Sequence, residues 1–72
     1  MKLSNAAHNQ RYRIERLDGP DEECRRLLDL GLTPGEDTAI VQSAPLGDPI
    51  VILVRGTRLA LRRREADWIR VQ

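Results

Sequence analysis

The sequence predicts an all-β domain with one short helix, a small barrel of five to six strands. Five short stretches have the residue pattern of strands: apolar and charged residues alternate over 11–17, 50–54 is an unbroken apolar run, and three more stretches are short enough to be strands between turns. Glycine or proline separates most of these stretches, as in tight turns. Closing a small sheet into a barrel removes exposed strand edges, so we expect that architecture for a chain of 72 residues.

The chain begins with a polar segment followed by a first strand. Residues 1–9 have no hydrophobic period and contain the only histidine, His8, so we expect a flexible tail there. The domain is then expected over residues 10–72. Apolar residues alternate with charged residues over 11–17, which predicts strand one with one buried face.

A short amphipathic helix is predicted over residues 21–30. Asp18 or Asp21 can cap its N-terminus, and the acidic residues of its first turn complement the helix dipole. Apolar residues at positions i, i+3 and i+4 form one stripe, made of Cys24, Leu27 and Leu28. Gly31 suits the left-handed residue that commonly ends a helix.

Three strands are predicted after the helix. Residues 33–36 suit a type II turn that leads into strand two, over 37–44. The branched apolar run 50–54 predicts strand three, buried on both faces. A tight hairpin at 55–57 then leads into strand four, over 58–61.

The last predicted elements are a helical turn over 62–67 and a short strand over 68–71. The turn contains helix formers and no branched residue. In the strand, Ile69 and Val71 share the buried face, so Trp68 should face outward or pack at the rim of the barrel.

Composition argues against several classes of protein. Twelve basic and eleven acidic residues give a net charge of +1, which is not the excess typical of nucleic-acid binders. The single cysteine allows no intramolecular disulfide. No apolar run approaches the length of about 18 residues that spans a bilayer. We therefore expect a cytoplasmic protein that neither binds nucleic acid nor inserts into a membrane.

No catalytic, cofactor or metal site is predicted. The only histidine lies in the expected tail, so no Ser-His-Asp set can be assembled, and no glycine-rich phosphate loop opens a helix. Cys24 belongs to the apolar stripe, which favours an inert core thiol over a nucleophile. His8 has no carboxylate at helical spacing. The chain is therefore expected to act by binding and not as an enzyme.

Two segments are candidates for contact with a partner protein. Two prolines stiffen the loop 45–49, which presents an apolar side chain beside an acid. The arginine run 62–64 can meet acidic groups, or it can remain a solvated turn. The tryptophan of the last strand is either a partner anchor or part of the core. The candidate partner-binding residues are Leu46, Asp48, Arg62, Arg63, Arg64 and Trp68.

Three segments in this order resemble the FeoA family: LGLTPG at 30–35, APLGDPI at 44–50, and LALRRREA at 59–66. The resemblance implies an SH3-like barrel and a small cytosolic accessory protein of ferrous iron transport. It also implies a partner, the membrane transporter FeoB, which the protein would bind and regulate through the transporter's cytosolic GTP-binding region. A monomer or weak homo-oligomer is expected. The alternative is a metal-responsive or interaction domain akin to the C-terminal domain of iron-dependent repressors.

Overall fold

The computed structural model describes residues 1–72 and contains five strands, two helices and one 3-10 turn. The bounds of the predicted strands and helices match the structure or differ from it by one residue at each end. In chain order the elements are the N-terminal turn Leu3–Asn5, β1 Tyr12–Leu17, α1 Asp21–Asp29, β2 Asp37–Ser43, β3 Ile50–Val54, β4 Thr57–Leu61, α2 Arg63–Ala66 and β5 Ile69–Val71.

The five strands form one antiparallel sheet in the order β4-β3-β2-β1-β5. The register shifts between Ile14 and Arg16 in β1 and between Ile40 and Gln42 in β2. Such irregularities bend a strand and increase its twist, which lets a short sheet curve around one core. The predicted all-β class with one short helix is confirmed.

One hydrophobic core of 13 buried residues fills the concave side of the sheet. In β3, Ile50, Ile52 and Val54 are buried, as the period of a strand requires. The expectation that β3 is buried on both faces is wrong, because Leu53 is 38% exposed and Val51 is only partly buried. No helix covers the outer side of this strand.

The N-terminal residues pack against the domain, so the expectation of a flexible tail over 1–9 is wrong. Leu3 is completely buried in the core, and Ala6 is also buried. The Met1 ammonium group donates a hydrogen bond to the Val71 carbonyl at 2.9 Å. One buried leucine in a three-residue turn gives no sequence period, which is why pattern analysis missed it.

Helix α1 begins without a side-chain cap. Pro20 occupies the cap position, and neither Asp18 nor Asp21 accepts a capping hydrogen bond, contrary to the prediction. Asp18 instead accepts a hydrogen bond from Arg70 Nε at 2.9 Å. This arginine lowers the pKa of the Asp18 carboxyl. The segment between β1 and the helix is therefore tied to β5.

The C-terminus of α1 has the predicted form. Gly31 has a φ of +100°, and its N–H donates to the Leu28 carbonyl at 2.9 Å. The Leu32 N–H donates to the Leu27 carbonyl at 3.1 Å, which completes a Schellman ending. The apolar stripe is narrower than predicted, because Leu27 is buried while Leu28 is exposed and Cys24 is only partly buried.

Candidate functional site

The loop between β2 and β3 presents the most exposed large apolar side chain of the molecule. This loop, residues 44–49, is called the Leu46 loop below, and Leu46 at its tip is 98% exposed. The loop is ordered by its own backbone: the Gly47 N–H donates to the Ala44 carbonyl at 2.7 Å, and the Ala44 N–H donates to the Pro49 carbonyl at 2.9 Å. An apolar side chain on a rigid turn is typical of a residue that anchors a partner.

Arg63 fixes the Leu46 loop to the rest of the domain. Its backbone N–H donates to Oδ1 of Asp48 at 3.0 Å, and its Nε donates to the Gly47 carbonyl at 2.9 Å. Its Nη1 donates to the Ser4 carbonyl at 2.7 Å. Asp48 and Arg63 are both predicted partner contacts, and Asp48 Oδ1 together with the Arg63 backbone N–H, Nε and Nη1 forms hydrogen bonds within the chain. In this structure both residues hold the Leu46 loop in place.

Glu65 connects α2 to α1 through hydrogen bonds that its carboxylate accepts. Its Oε1 accepts a hydrogen bond from the Arg62 N–H at 2.9 Å, and its Oε2 accepts one from the Arg26 guanidinium. Burial raises the pKa of the Glu65 carboxyl, but the Arg62 and Arg26 hydrogen bonds outweigh burial and leave that pKa below its ordinary value. The carboxylate is therefore ionised at neutral pH. The Arg62 side chain is exposed.

Trp68 packs at the rim of the core, which is one of the two arrangements predicted for it. It is partly buried and contacts the core cluster. The Arg64 guanidinium carbon lies 5.7 Å from the centre of its ring, at the distance of a cation–π contact. Another neighbour is Gly19, where an added Cβ atom would lie 2.5 Å from atoms of the ring. Trp68 is therefore held in place and has limited freedom to act as an anchor.

The structure separates the predicted partner-binding residues into two groups. Asp48, Arg63 and Trp68 make contacts within the domain. Leu46, Arg62 and Arg64 are exposed, and of these Arg64 also lies over the Trp68 ring. We call these three exposed residues the docking set. They lie on α2, just before it, or on the loop that Arg63 holds to it.

Ser4 supports the site, and the sequence pattern does not predict this role. Ser4 accepts the Arg63 hydrogen bond through its carbonyl, and its hydroxyl donates to Asp67. It thus braces α2 at both ends. The partners are 59 and 63 residues apart in the chain, and no local pattern relates positions at such separations.

The remaining surface offers little for chemistry. An open depression of about 410 Å³ lies between the start of β2 and the β3–β4 turn, where it is bordered by Arg11, Glu36, Asp37 and Arg55. Asp37 also lies 3.7 Å from Arg13. No cluster of three or more His, Cys, Asp or Glu side chains has the geometry of a metal site. None of the helices has the length and apolar character needed to cross a bilayer.

The family model and the similar solved structures described next all carry the name FeoA or iron(II) transport protein A. A sequence model described as the FeoA domain matches residues 1–72. The iron(II) transport protein A of Clostridium thermocellum is 46% identical, with a TM-score of 0.94 over 100% of this chain and 44% of that chain. The FeoA of Stenotrophomonas maltophilia, solved with zinc and described as a prokaryotic SH3 domain protein, is 33% identical, with a TM-score of 0.88 over 100% of this chain and 89% of that chain.

A curated relative carries a similar domain within a much longer protein. It is the Fe(2+) transport protein A/Fe(2+) transporter FeoB fusion protein of Porphyromonas gingivalis, 32% identical over 72 residues. The match spans 100% of this chain and only 8% of the fusion protein. In that protein the similar domain and a transporter belong to one polypeptide.

Proposed function

This chain belongs to the FeoA family, and we propose that it is an accessory protein of ferrous iron transport that binds a FeoB-type membrane transporter and regulates it. The contact is made with the cytosolic GTP-binding region of the transporter, so the protein acts at the cytoplasmic side of the membrane. It acts by binding and performs no reaction of its own.

The observation that carries the proposal is the exposure of Leu46 on a loop that the domain holds rigid. Burying a leucine side chain contributes about 1.5–3 kcal/mol. Hydrogen bonds to Arg63 already order the loop before binding, so ordering it on binding costs little conformational entropy. Leu46 therefore acts as the anchor of the contact, inserted into an apolar pocket of the transporter.

The two exposed arginines of the docking set supply orientation. Arg62 and Arg64 form no ion pair with an acid of their own chain, so both can meet acidic groups of the partner. Charges at the rim of an interface mainly raise the association rate and fix the register, while buried anchors set the affinity. We thus expect the arginines to orient the domain and Leu46 to hold it.

The relatives support this choice of partner. The fusion protein of Porphyromonas gingivalis joins a domain similar to this chain to a FeoB transporter. Fusion keeps two modules at a high effective concentration, which favours a contact between them. The Stenotrophomonas maltophilia relative is described as "possibly acting as a bacterial ferrous iron transport activating factor", which agrees with a regulatory role for this chain.

A pull-down tests the proposal. The tagged chain is mixed with the cytosolic GTP-binding region of the FeoB-type transporter from the same cell, with GDP, with a non-hydrolysable GTP analogue and without nucleotide. We expect retention of the transporter region in at least one nucleotide state, and loss of retention with Leu46→Ala. Equal retention of the transporter region by the wild-type chain and by an unrelated SH3 domain would contradict the proposal.

A further inference from the structure

The two edges of the sheet differ in whether another segment of the chain pairs with them. At the β5 edge, the Val71 N–H donates to the Met1 carbonyl at 2.8 Å, and Lys2 pairs with Arg70 as an isolated bridge. The chain's own N-terminus therefore covers that edge. The β4 edge, over Thr57–Leu61, pairs only with β3 and has no neighbour on its other side.

The register of the β3–β4 hairpin identifies the unpaired groups at this edge. Arg55 and Gly56, with φ angles of 52° and 76°, form a two-residue turn of the type that fits a hairpin. In such a hairpin the residues flanking the turn share hydrogen bonds, and every second pair thereafter does so too. Arg58 and Ala60 belong to the other pairs, so their N–H and C=O groups point away from β3.

The outer face of the sheet beside this edge is apolar. Arg58 lies opposite Leu53 and Ala60 lies opposite Val51 in the β3–β4 register. Leu53 is 38% exposed, and Val51 is partly buried. A strand added next to β4 would place its outward side chains beside this apolar surface.

The charge of the edge determines what kind of strand fits it. Residues 50–64 contain five arginines and no acidic residue. Arg58 lies in β4, Arg55 in the turn before it and Arg62 directly after it, and none of the three forms a salt bridge. Pairing of β4 with β4 of a second copy would bring arginines together, and like charges on adjacent strands are unfavourable. The matching occupant is acidic.

We propose that β4 binds an extended acidic segment of a partner protein as a sixth strand of the sheet. The free N–H and C=O groups of Arg58 and Ala60 hydrogen-bond to the segment's backbone, and a carboxylate of the segment pairs with Arg58. This goes beyond the proposed function, since it concerns a different surface and holds whichever protein supplies the segment. A DNA backbone fits less well, because its phosphates can only accept hydrogen bonds and leave the free carbonyls unpaired.

The test uses the full chain and two capped eight-residue peptides, one of alternating glutamate and valine and one of alternating lysine and valine. Amide chemical shifts are followed by NMR during titration. We expect the glutamate peptide to shift the Arg58 and Ala60 amides and to slow their hydrogen exchange, and we expect no effect of the lysine peptide. Shifts confined to other regions, or equal binding of both peptides, would overturn the proposal.

Two variants make the test specific to strand addition. Ala60→Pro removes an N–H that points away from β3, so the hairpin is retained. We expect glutamate peptide affinity to fall about tenfold, and Ala60→Ser, which keeps the N–H, to bind like wild type. Arg58→Glu should reverse the preference towards the lysine peptide, a result that does not depend on proline being tolerated. Wild-type affinity in Ala60→Pro, an unchanged preference in Arg58→Glu, or tighter binding of a DNA oligonucleotide at the same edge would each overturn it.

Discussion

The backbone N–H of Arg63 donates a hydrogen bond to the carboxylate of Asp48 at 3.0 Å, across 15 residues of sequence. The same residue reaches the Gly47 carbonyl and the Ser4 carbonyl through its guanidinium. One side chain thus connects the Leu46 loop, α2 and the N-terminal turn. Together with the two backbone hydrogen bonds inside the Leu46 loop, this connection holds the loop in place.

Removing the Arg63 side chain should loosen the Leu46 loop without unfolding the domain. Arg63→Ala eliminates two hydrogen bonds from a charged group, and we expect a loss of about 1–3 kcal/mol in the free energy of unfolding. NMR order parameters of the backbone amides of residues 46–48 should fall from about 0.85 towards 0.6. Arg64→Ala, one position along, should leave them unchanged. Unaltered order parameters in Arg63→Ala would show that the loop is rigid by itself.

A methyl group at Gly19 should destabilise the fold through Trp68. The added Cβ would lie 2.5 Å from ring atoms of Trp68, so the ring or the backbone must move. We expect Gly19→Ala to lower the free energy of unfolding by about 1–3 kcal/mol in urea titrations. Combining it with Trp68→Leu should cost less than the sum of the two single changes. Strict additivity would argue against the contact.

Shortening Leu3 should be as costly as a change in the centre of the core. Leu3 is fully buried, so Leu3→Ala leaves a cavity and should cost about 2–5 kcal/mol, which is much of the stability of a small domain. Lys2→Ala is the matched control, with an expected change below about 0.5 kcal/mol. Thermal unfolding measures both. Equal melting temperatures would restore the interpretation of residues 1–9 as a flexible tail.

Acidification should weaken the contact between α1 and α2 through Glu65. The folded-state pKa of this carboxyl lies below its unfolded value, so the ionised form is stabilised by folding. That contribution is present above the unfolded pKa of about 4.3 and is lost as the pH falls through the lower folded pKa. Unfolding free energy measured from neutral pH to acid should therefore fall less steeply in Glu65→Gln. Identical slopes would contradict the assigned shift.

Local features of the sequence predicted local features of the structure. The Schellman ending at Gly31 and the turn at 33–36, where the Glu36 N–H donates to the Thr33 carbonyl at 3.1 Å, follow from residue types a few positions apart. The exposed tip of the Leu46 loop was predicted in the same way. Each depends on backbone geometry that glycine and proline favour wherever they occur.

Features that depend on distant contacts were not predictable from the pattern. Leu3 is buried in the folded core, and Ser4 contacts Arg63 and Asp67, which are 59 and 63 residues further along the chain. Arg63 also contacts Asp48 and Gly47, which lie 15 and 16 residues before it. The prediction that the outer face of β3 is buried was wrong for another reason. A continuous apolar run is typical of a strand covered on both sides, and in this structure one side of β3 is open. That open side adjoins the edge proposed to accept a partner strand.

The central claim is that Leu46 anchors the domain on the transporter, and isothermal titration calorimetry tests it most directly. The cytosolic GTP-binding region of the FeoB-type transporter is titrated with the wild-type chain, with Leu46→Ala, and with Leu30→Ala as a control at another exposed leucine. We predict that Leu46→Ala weakens binding by about 2 kcal/mol or more, roughly thirtyfold, while Leu30→Ala binds like wild type. Wild-type affinity in Leu46→Ala would contradict the claim.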